Sequence, residues 1–427
     1  MSDPIVLQVV KGWDNQTLLQ LVKAPNVVDD DIGVTLFKCD TALLPGVGAP
    51  DTVTKHGQIL LSCLMQSHAR IKEALEGAFK LANGARCPIY LQLKSLPAAE
   101  AFCWEALCNE AGVFIALDRR WPVARLAGAL NLAGRAVEAY EFPLRIMVVL
   151  SALGRDATPE WDGLYAAVQK ARKAGLPIAL HVGTSQESLQ DQIAEAAKTD
   201  PGLSQFALQT MVDLIEVADD FAPHLVHFFC HGSTTFDKPR LQLATINDHD
   251  DSSIEVTLPD LLGSPGVRES WLVVLNCCES GAASKDVHSL SHSLVAGGIN
   301  AAIGMKEEVS EVDAAEFSSR LYPSLLDNLR AALVPMGPND DAIIEWADAM
   351  WAPRRALRER HKADAIAHTW TLPVLYVQPE PFRVRRAPAA AADARAHSQT
   401  IEEMLALLPP DKRALFEAEL AAVRAGH

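Results

Sequence analysis

Between residues 143 and 306 continuously apolar strands alternate with amphipathic helices, and that alternation leaves few folds open. LRIMVVLSA (144–152), LPIALHVG (176–183), HLVHFFCHG (224–232), SWLVVLNCCESG (270–281) and NAAIGMK (300–306) read as strands. Between and after them, WDGLYAAVQKARKAG, ESLQDQIAEAAK, LSQFALQTMVDLIEVA, SLSHSLVAGG and VDAAEFSSRLYPSLLDNLRAAL carry helical periodicity. A strand that is apolar along its whole length is buried on both faces. Helices between such strands supply the cover, so the expected fold is α/β, with a mostly parallel sheet flanked by helices.

The flanking regions are less regular. IVLQVV, GVTLFKC and PIYLQLKS read as strands in the first third. HGQILLSCLMQSHARIKEALEGAFKLA reads as one long helix, and AAEAFCWEALCNEAG as a helix closed by its glycine. Residues 341–368 read as helical, and TLPVLYVQPE as a last strand. Beyond residue 380 the composition shifts to Pro, Ala and Arg, the signature of a linker. Two short amphipathic helices, separated by Pro409-Pro410, follow as either a docked hairpin or an interaction module. The expected organisation is an N-terminal α/β half (1–140), integral to the fold, then a core (141–380), a linker (381–396) and a helical C-terminal tail (397–427).

Charge and cysteine usage narrow the function classes. A net charge of −16 opposes general nucleic-acid binding, because the phosphate backbone is repelled before local contacts form. No basic leader with an apolar run and cleavage site is visible, and no apolar stretch is long enough to span a membrane. The 8 cysteines show no regular spacing and several sit in apolar contexts, which fits a reduced, cytoplasmic compartment. No internal repeat is present.

Reactive side chains collect at two strand ends, where the carboxyl edge of an open α/β sheet places functional groups. One strand ends Cys230-His231-Gly232 and another Cys277-Cys278-Glu279. If the strands are neighbours, an imidazole faces a thiol across one crevice, the minimum for a cysteine nucleophile with its base. On spacing alone, a pair of buried structural residues is an equal reading. A zinc site built from His227, Cys230, His231, Cys277 and Cys278 is disfavoured, because adjacent strand residues point to opposite faces.

HFFCHG and VVLNCCESG together closely resemble the paired motifs of CHAT domains, caspase-like bacterial peptidases related to separase and gingipain. FPLRIMVVLSALGRDATP, LVAGGINAAIGMKEEVSEVDAAEFSSRLYPSLL and LPVLYVQP are also similar to segments of that family. Phe102-Cys103-Trp104-Glu105 stands where many relatives have Leu-Pro-Trp-Glu, and no TPR array is evident. The resemblance implies a caspase-like cysteine endopeptidase with a Cys278–His231 dyad. Cys277 takes the family's small-residue position, and strand parity agrees with that division of roles. It further implies oxyanion donors at Gly232 and Cys278 and hydrolysis through a thioester, without cofactor or metal.

Relatives that cut after basic residues imply a P1 preference for Arg or Lys. Asp156 and Asn276 are the substrate-binding candidates, with Asp313 and Glu279 behind them; Asp156 reads equally as a turn cap. The expected partner is a protein substrate, with a regulatory protein possible at the C-terminal helices and neither nucleic acid nor membrane. Regulation by a partner, a ligand or cleavage, in bacterial defence or cell death, is implied by the same resemblance. Self-cleavage in Arg383-Val384-Arg385-Arg386 follows if the tether is exposed, and the acidic run Asp248–Asp251 reads as a flap or a solvated loop. The competing class is a catalytically silent scaffold.

Overall fold

The computed structural model describes residues 3–12, 16–25, 34–39, 44–82, 84–93, 97–128, 137–151, 153–233, 239–248, 251–278, 280–283, 288–364 and 366–387. Glu279, half of the acidic run 248–251 and the expected C-terminal helices lie outside these residues. The strands are β1 (Ile5–Lys11), β2 (Thr17–Lys23), β3 (Val34–Leu36), β4 (Ile89–Gln92), β5 (Val123–Leu126), β6 (Glu138–Tyr140), β7 (Leu144–Leu150), β8 (Ile178–Thr184), β9 (Leu203–Ala207), β10 (Leu225–Ser233), β11 (Arg240–Leu243), β12 (Ile254–Thr257), β13 (Leu272–Cys277), β14 (Ala301–Met305), β15 (Asp341–Ile344), β16 (Pro373–Val377) and β17 (Phe382–Arg386). The helices are α1 (Pro50–Ser67), α2 (Ala69–Phe79), α3 (Pro97–Glu100), α4 (Thr158–Lys173), α5 (Glu187–Ala197), α6 (Met211–Phe221), α7 (Leu258–Gly263), α8 (Pro265–Arg268), α9 (Leu290–Ala296), α10 (Glu311–Leu333) and α11 (Trp351–His361).

Among the described residues, 14 strands form one sheet, with the path β3-β2-β1-β4-β5-β16-β14-β13-β10-β7-β8-β9 and β11 and β12 branching from β10. From β14 to β9 every neighbour is parallel, as are β1, β4, β5 and β16. The two parallel halves meet antiparallel at β14–β16. The N-terminal third is thus part of the same sheet as the core.

Alternate residues of the central strands feed two apolar clusters, one on each face. Leu225, Phe229, Leu272 and Val274 pack with Trp161, Leu164, Phe317 and Leu321 of α4 and α10. Val226, Phe228, Val273 and Leu275 pack with Leu214 of α6 and Leu294 of α9 on the other face. This two-sided burial explains why the strands lack polar alternation.

Several segments depart from their sequence patterns. The long helix expected from residue 56 is two helices, broken at His68, whose backbone is extended (φ −153°, ψ 136°) and whose Nδ1 accepts from the Arg70 amide. The helix expected over 98–112 is largely absent: only Pro97–Glu100 and a short 3₁₀ turn, Trp104–Ala106, form. Long-range contacts override its helical pattern. Trp104 is fully buried and its indole donates to the Ala99 carbonyl at 2.7 Å. Glu105 takes a two-pronged ion pair from the buried Arg125, at 2.9 and 2.7 Å, and Arg125 also donates to the carbonyls of Glu100 and Phe102.

Residues 203–207 form the edge strand β9 rather than the start of a helix, and 341–344 form β15. The expected linker begins inside a strand: Phe382–Arg386 is β17, held between β15 and β6 with Val384 fully buried. The Arg383–Arg386 tether is therefore a paired strand. A peptidase needs an extended, unpaired substrate, so self-cleavage there requires β17 to be stripped from the sheet first.

Candidate functional site

β10 and β13 are parallel neighbours, with Cys230 directly opposite Cys277. One residue further on, Cys278 has just left β13, while His231 is still in β10, paired there with Gln242 of β11. Parity then sorts the two adjacent cysteines. Cys230 and Cys277 are buried among Phe228, Leu275 and Val273 on the α9 face. His231 and Cys278 are both half-buried and line one crevice with Ser151, Arg155, Phe229, Asn276, Val309 and Glu311. The Cys278 Sγ lies 4.0 Å from the Val309 carbonyl. None of the eight cysteines is in a disulfide.

The residues after the nucleophile position fix the turn. The Ser280 hydroxyl donates to the Cys277 carbonyl at 2.9 Å and accepts from the Met305 amide at 2.9 Å, tying the end of β13 to β14. The Gly281 amide donates to the Met305 carbonyl at 2.7 Å, and a Cβ on Gly281 would stand 2.9 Å from the Gly304 carbonyl carbon. Gly232 is required for a different reason: a Cβ there would stand 1.8 Å from the Cys278 carbonyl oxygen. The small residue lets the strand carrying His231 close onto the backbone carrying Cys278.

Burial governs the protonation of the pair. It pushes the Cys278 thiol above its ordinary value of 9.0, outweighing the Val309 contact and the Arg155 charge. Burial, aided by Arg155, pushes the His231 imidazole below 6.5, against the pull of Glu308 and Glu311. At neutral pH the site therefore holds a thiol beside a neutral imidazole, and His231 is available to take the thiol proton.

The expected substrate carboxylate is elsewhere. Asp156 is exposed; its Oδ1 accepts from the Thr158 amide at 2.9 Å and from Gln186 Nε2 at 3.1 Å, the turn-capping geometry at the start of α4. Asn276 does line the crevice, but its Nδ2 donates to Glu160 at 2.9 Å and to the Ala314 carbonyl and Ser318 hydroxyl at 3.1 Å. Its Nδ2 is thus committed to holding β13 against α4 and α10, while its Oδ1 has no hydrogen-bond partner among the described residues. His227 joins the same buried group, with Nε2 2.9 Å from Glu160 Oε1. Asp313 is neutralised by Arg360 at 3.2 Å and His361 at 2.6 Å.

What sequence reasoning missed lies on the segment after β14. A groove of about 610 Å³ shares Arg155, Val309 and Glu311 with the crevice, and is lined also by Glu307, Glu308 and Asp313. Arg155 reaches across it, donating to the Val309 carbonyl and to Glu308 at 3.3 Å each. The signal was present in KEEVSEVD, an acidic run immediately after a core strand.

The paired strand ends lie within a known domain. Residues 162–334 match the family model of the CHAT domain. This stretch of the chain is similar to the CHAT domain, and the match includes His231, Cys278 and α10 but not the N-terminal half or β16. Among solved structures, the chain is similar to the Arg-specific cysteine proteinase gingipain R, with a TM-score of 0.46 and 9% identity over 74% of this chain and 69% of that one. It is also similar to separase in the Saccharomyces cerevisiae separase–securin complex, with a TM-score of 0.40 and 13% identity over 78% of this chain and 19% of that one. No curated protein matches the chain. Among the described residues, no helix is long and apolar enough to cross a membrane.

Proposed function

We propose that the protein is a cysteine endopeptidase in which Cys278 attacks the scissile carbonyl and His231 moves the proton. The observation that carries this reading is the placement of both side chains on one face of adjacent parallel strands, lining one crevice. In the reaction, His231 takes the Sγ proton as the thioester precursor forms and delivers it to the leaving amine. It then activates the water that hydrolyses the thioester. The amides of Gly232 and Cys278 are the oxyanion donors in this scheme.

The proposed cut follows Arg or Lys. Support comes from the acidic groove beside the crevice, where Glu308 and Glu311 would meet a basic P1 side chain. The reading is supported by Arg155, whose guanidinium is bonded to Glu308 in the same groove. A panel of fluorogenic peptides varied at P1 tests the reading. Arg and Lys substrates are expected to be cleaved, and Glu311→Gln to lower their kcat/KM by roughly 10- to 100-fold, the scale of one charge-assisted hydrogen bond. Cleavage confined to acidic or apolar P1 residues would overturn the specificity.

Activity is proposed to be switched on by a partner, a ligand or cleavage, as the family resemblance also implies for defence and cell-death systems. The crevice at the dyad has a volume of about 20 Å³, room for about one water, so a substrate must open it. The catalytically silent alternative keeps the same narrow crevice permanently. It predicts that no treatment that opens the fold's active edge yields peptide cleavage.

The protonation state sets a pH profile. Protonated His231 cannot act as base, and its pKa is lowered, so the acid limb of kcat/KM is expected below pH 6.5. Ionisation of Cys278 lies above 9.0, so the alkaline limb is expected beyond that value. Between them the profile should be flat. A peptide assay scanned from acid to alkaline pH measures this directly, and an acid limb above 6.5 would show that the active form is an ion pair stabilised by groups outside this arrangement.

A further inference from the structure

We propose that Glu100, His288 and His292 form a binding site for one Zn²⁺ ion, joining the N-terminal half to the helix that follows the nucleophile turn. One ligand atom from each residue lies within 4.8 Å of the other two. The set is two imidazoles and one carboxylate, the donor chemistry of zinc with a fourth position left for water. His292 is 8% exposed, and its Nδ1 is buried without a hydrogen-bond partner among the described residues. Buried ring nitrogens are usually hydrogen-bonded; those of His56, His227 and His368 also lack partners here, but of these histidines His292 alone stands with a second imidazole and a carboxylate within reach.

The neighbours resemble an outer shell. The Glu100 Oε2 accepts from the Tyr376 hydroxyl at 2.8 Å and the Ser289 hydroxyl at 3.0 Å, which orients the carboxylate and leaves Oε1 facing His288 Nδ1. His288 and His292 are stacked, with ring centroids 3.9 Å apart and planes 13° apart. Coordination requires one ring to turn, and His288, which precedes α9 with its side chain 26% exposed, gives up its stacking on His292 to do so. The proton between His288 and Glu100 is lost to solvent as the metal enters.

The position gives the ion a structural consequence. The Ser291 amide, in the same helix, donates to the Ser280 carbonyl at 3.1 Å, two residues past Cys278. Glu100 comes from the other half of the molecule, so a bound ion clamps the nucleophile's exit segment to it.

The test uses the full chain stripped with a chelator, titrated with Co²⁺ followed by visible absorption and with Zn²⁺ followed by thermal unfolding. One equivalent of Co²⁺ is expected to give a tetrahedral d–d spectrum without a thiolate charge-transfer band, and Zn²⁺ to raise the unfolding midpoint. Both signals should persist in Cys278→Ala and vanish in His292→Ala and His288→Ala. Tyr376→Phe should weaken binding by about 10- to 100-fold, as loss of an outer-shell partner does. The partly exposed His288 keeps the test valid if His292→Ala fails to fold. Absence of binding to the wild type, or binding that survives His288→Ala and is lost in Cys278→Ala, overturns the proposal; the latter would put the ion on the dyad.

Discussion

Cys278→Ala is expected to abolish peptide hydrolysis while Cys277→Ala, one residue away, leaves it nearly intact. Removing the nucleophile of an acyl-transfer site costs on the order of 10⁴- to 10⁶-fold, because only background catalysis by the remaining groups survives. Cys277 faces the opposite side of the sheet and is 3% exposed among Cys230, Leu275 and Phe228. Replacing its thiol removes one buried heavy atom, which costs about 1 kcal/mol of stability and leaves kcat/KM within about threefold. His231→Ala should fall with Cys278→Ala. The comparison is made with an Arg-P1 peptide, at equal folded fractions checked by circular dichroism. If Cys277→Ala loses activity and Cys278→Ala keeps it, the parity argument fails, and the peptidase reading then needs a different nucleophile.

Gly232→Ala is the second large effect, and it is steric in origin. The residue's φ is negative or extended, so alanine can adopt its backbone conformation. The obstacle is the Cys278 carbonyl oxygen, 1.8 Å from where the methyl group must go. That oxygen is backbone, so it cannot rotate away as a side chain would. Either β10 or the end of β13 must move, and both carry a member of the dyad. A displacement of about 1 Å at a reacting group costs about 100-fold in rate, and overpacking of this kind costs about 1–3 kcal/mol of stability. The expected outcome is therefore a drop of about 100-fold in kcat with a moderate fall in unfolding midpoint. An unchanged kcat would show that the strands can part here without disturbing the chemistry.

The legibility of the site in the sequence followed from how each part is encoded. HFFCHG and VVLNCCESG each place a reactive group at the end of an apolar strand, and strand parity is local, so the separation of Cys277 from Cys278 could be read directly. Asp156 is ambiguous for the same local reason: a carboxylate after a strand and two residues before a helix fits a turn as well as a pocket, and in the fold its Oδ1 accepts from the Thr158 amide. The groups that depend on distant pairing were invisible. Glu160, His227, Asn276 and Ser318 converge from four separate elements, and the bond from Ser318 to Glu160 spans 158 residues. Glu100 meets His288 across 188 residues. In the fold, the regular β–α alternation was readable, whereas residues 98–112 were misread because buried contacts to Trp104 and Arg125 outweigh helix propensity.

The antiparallel seam between β14 and β16 bears on how the chain matures as it is synthesised. His231 and Cys278 leave the ribosome well before residues 373–377, yet β16 is the strand that bridges β5 to β14. Until it arrives, two half-sheets present raw edges with no main-chain bonds between them, a state prone to sticking to other chains. Val374 also stands against Gly281, where a Cβ would lie 2.7 Å from its methyl, so β16 backs the nucleophile turn itself. A nascent chain can thus carry both reactive side chains while lacking the wall behind them. The support behind the nucleophile turn is therefore completed only when β16 docks, late in synthesis.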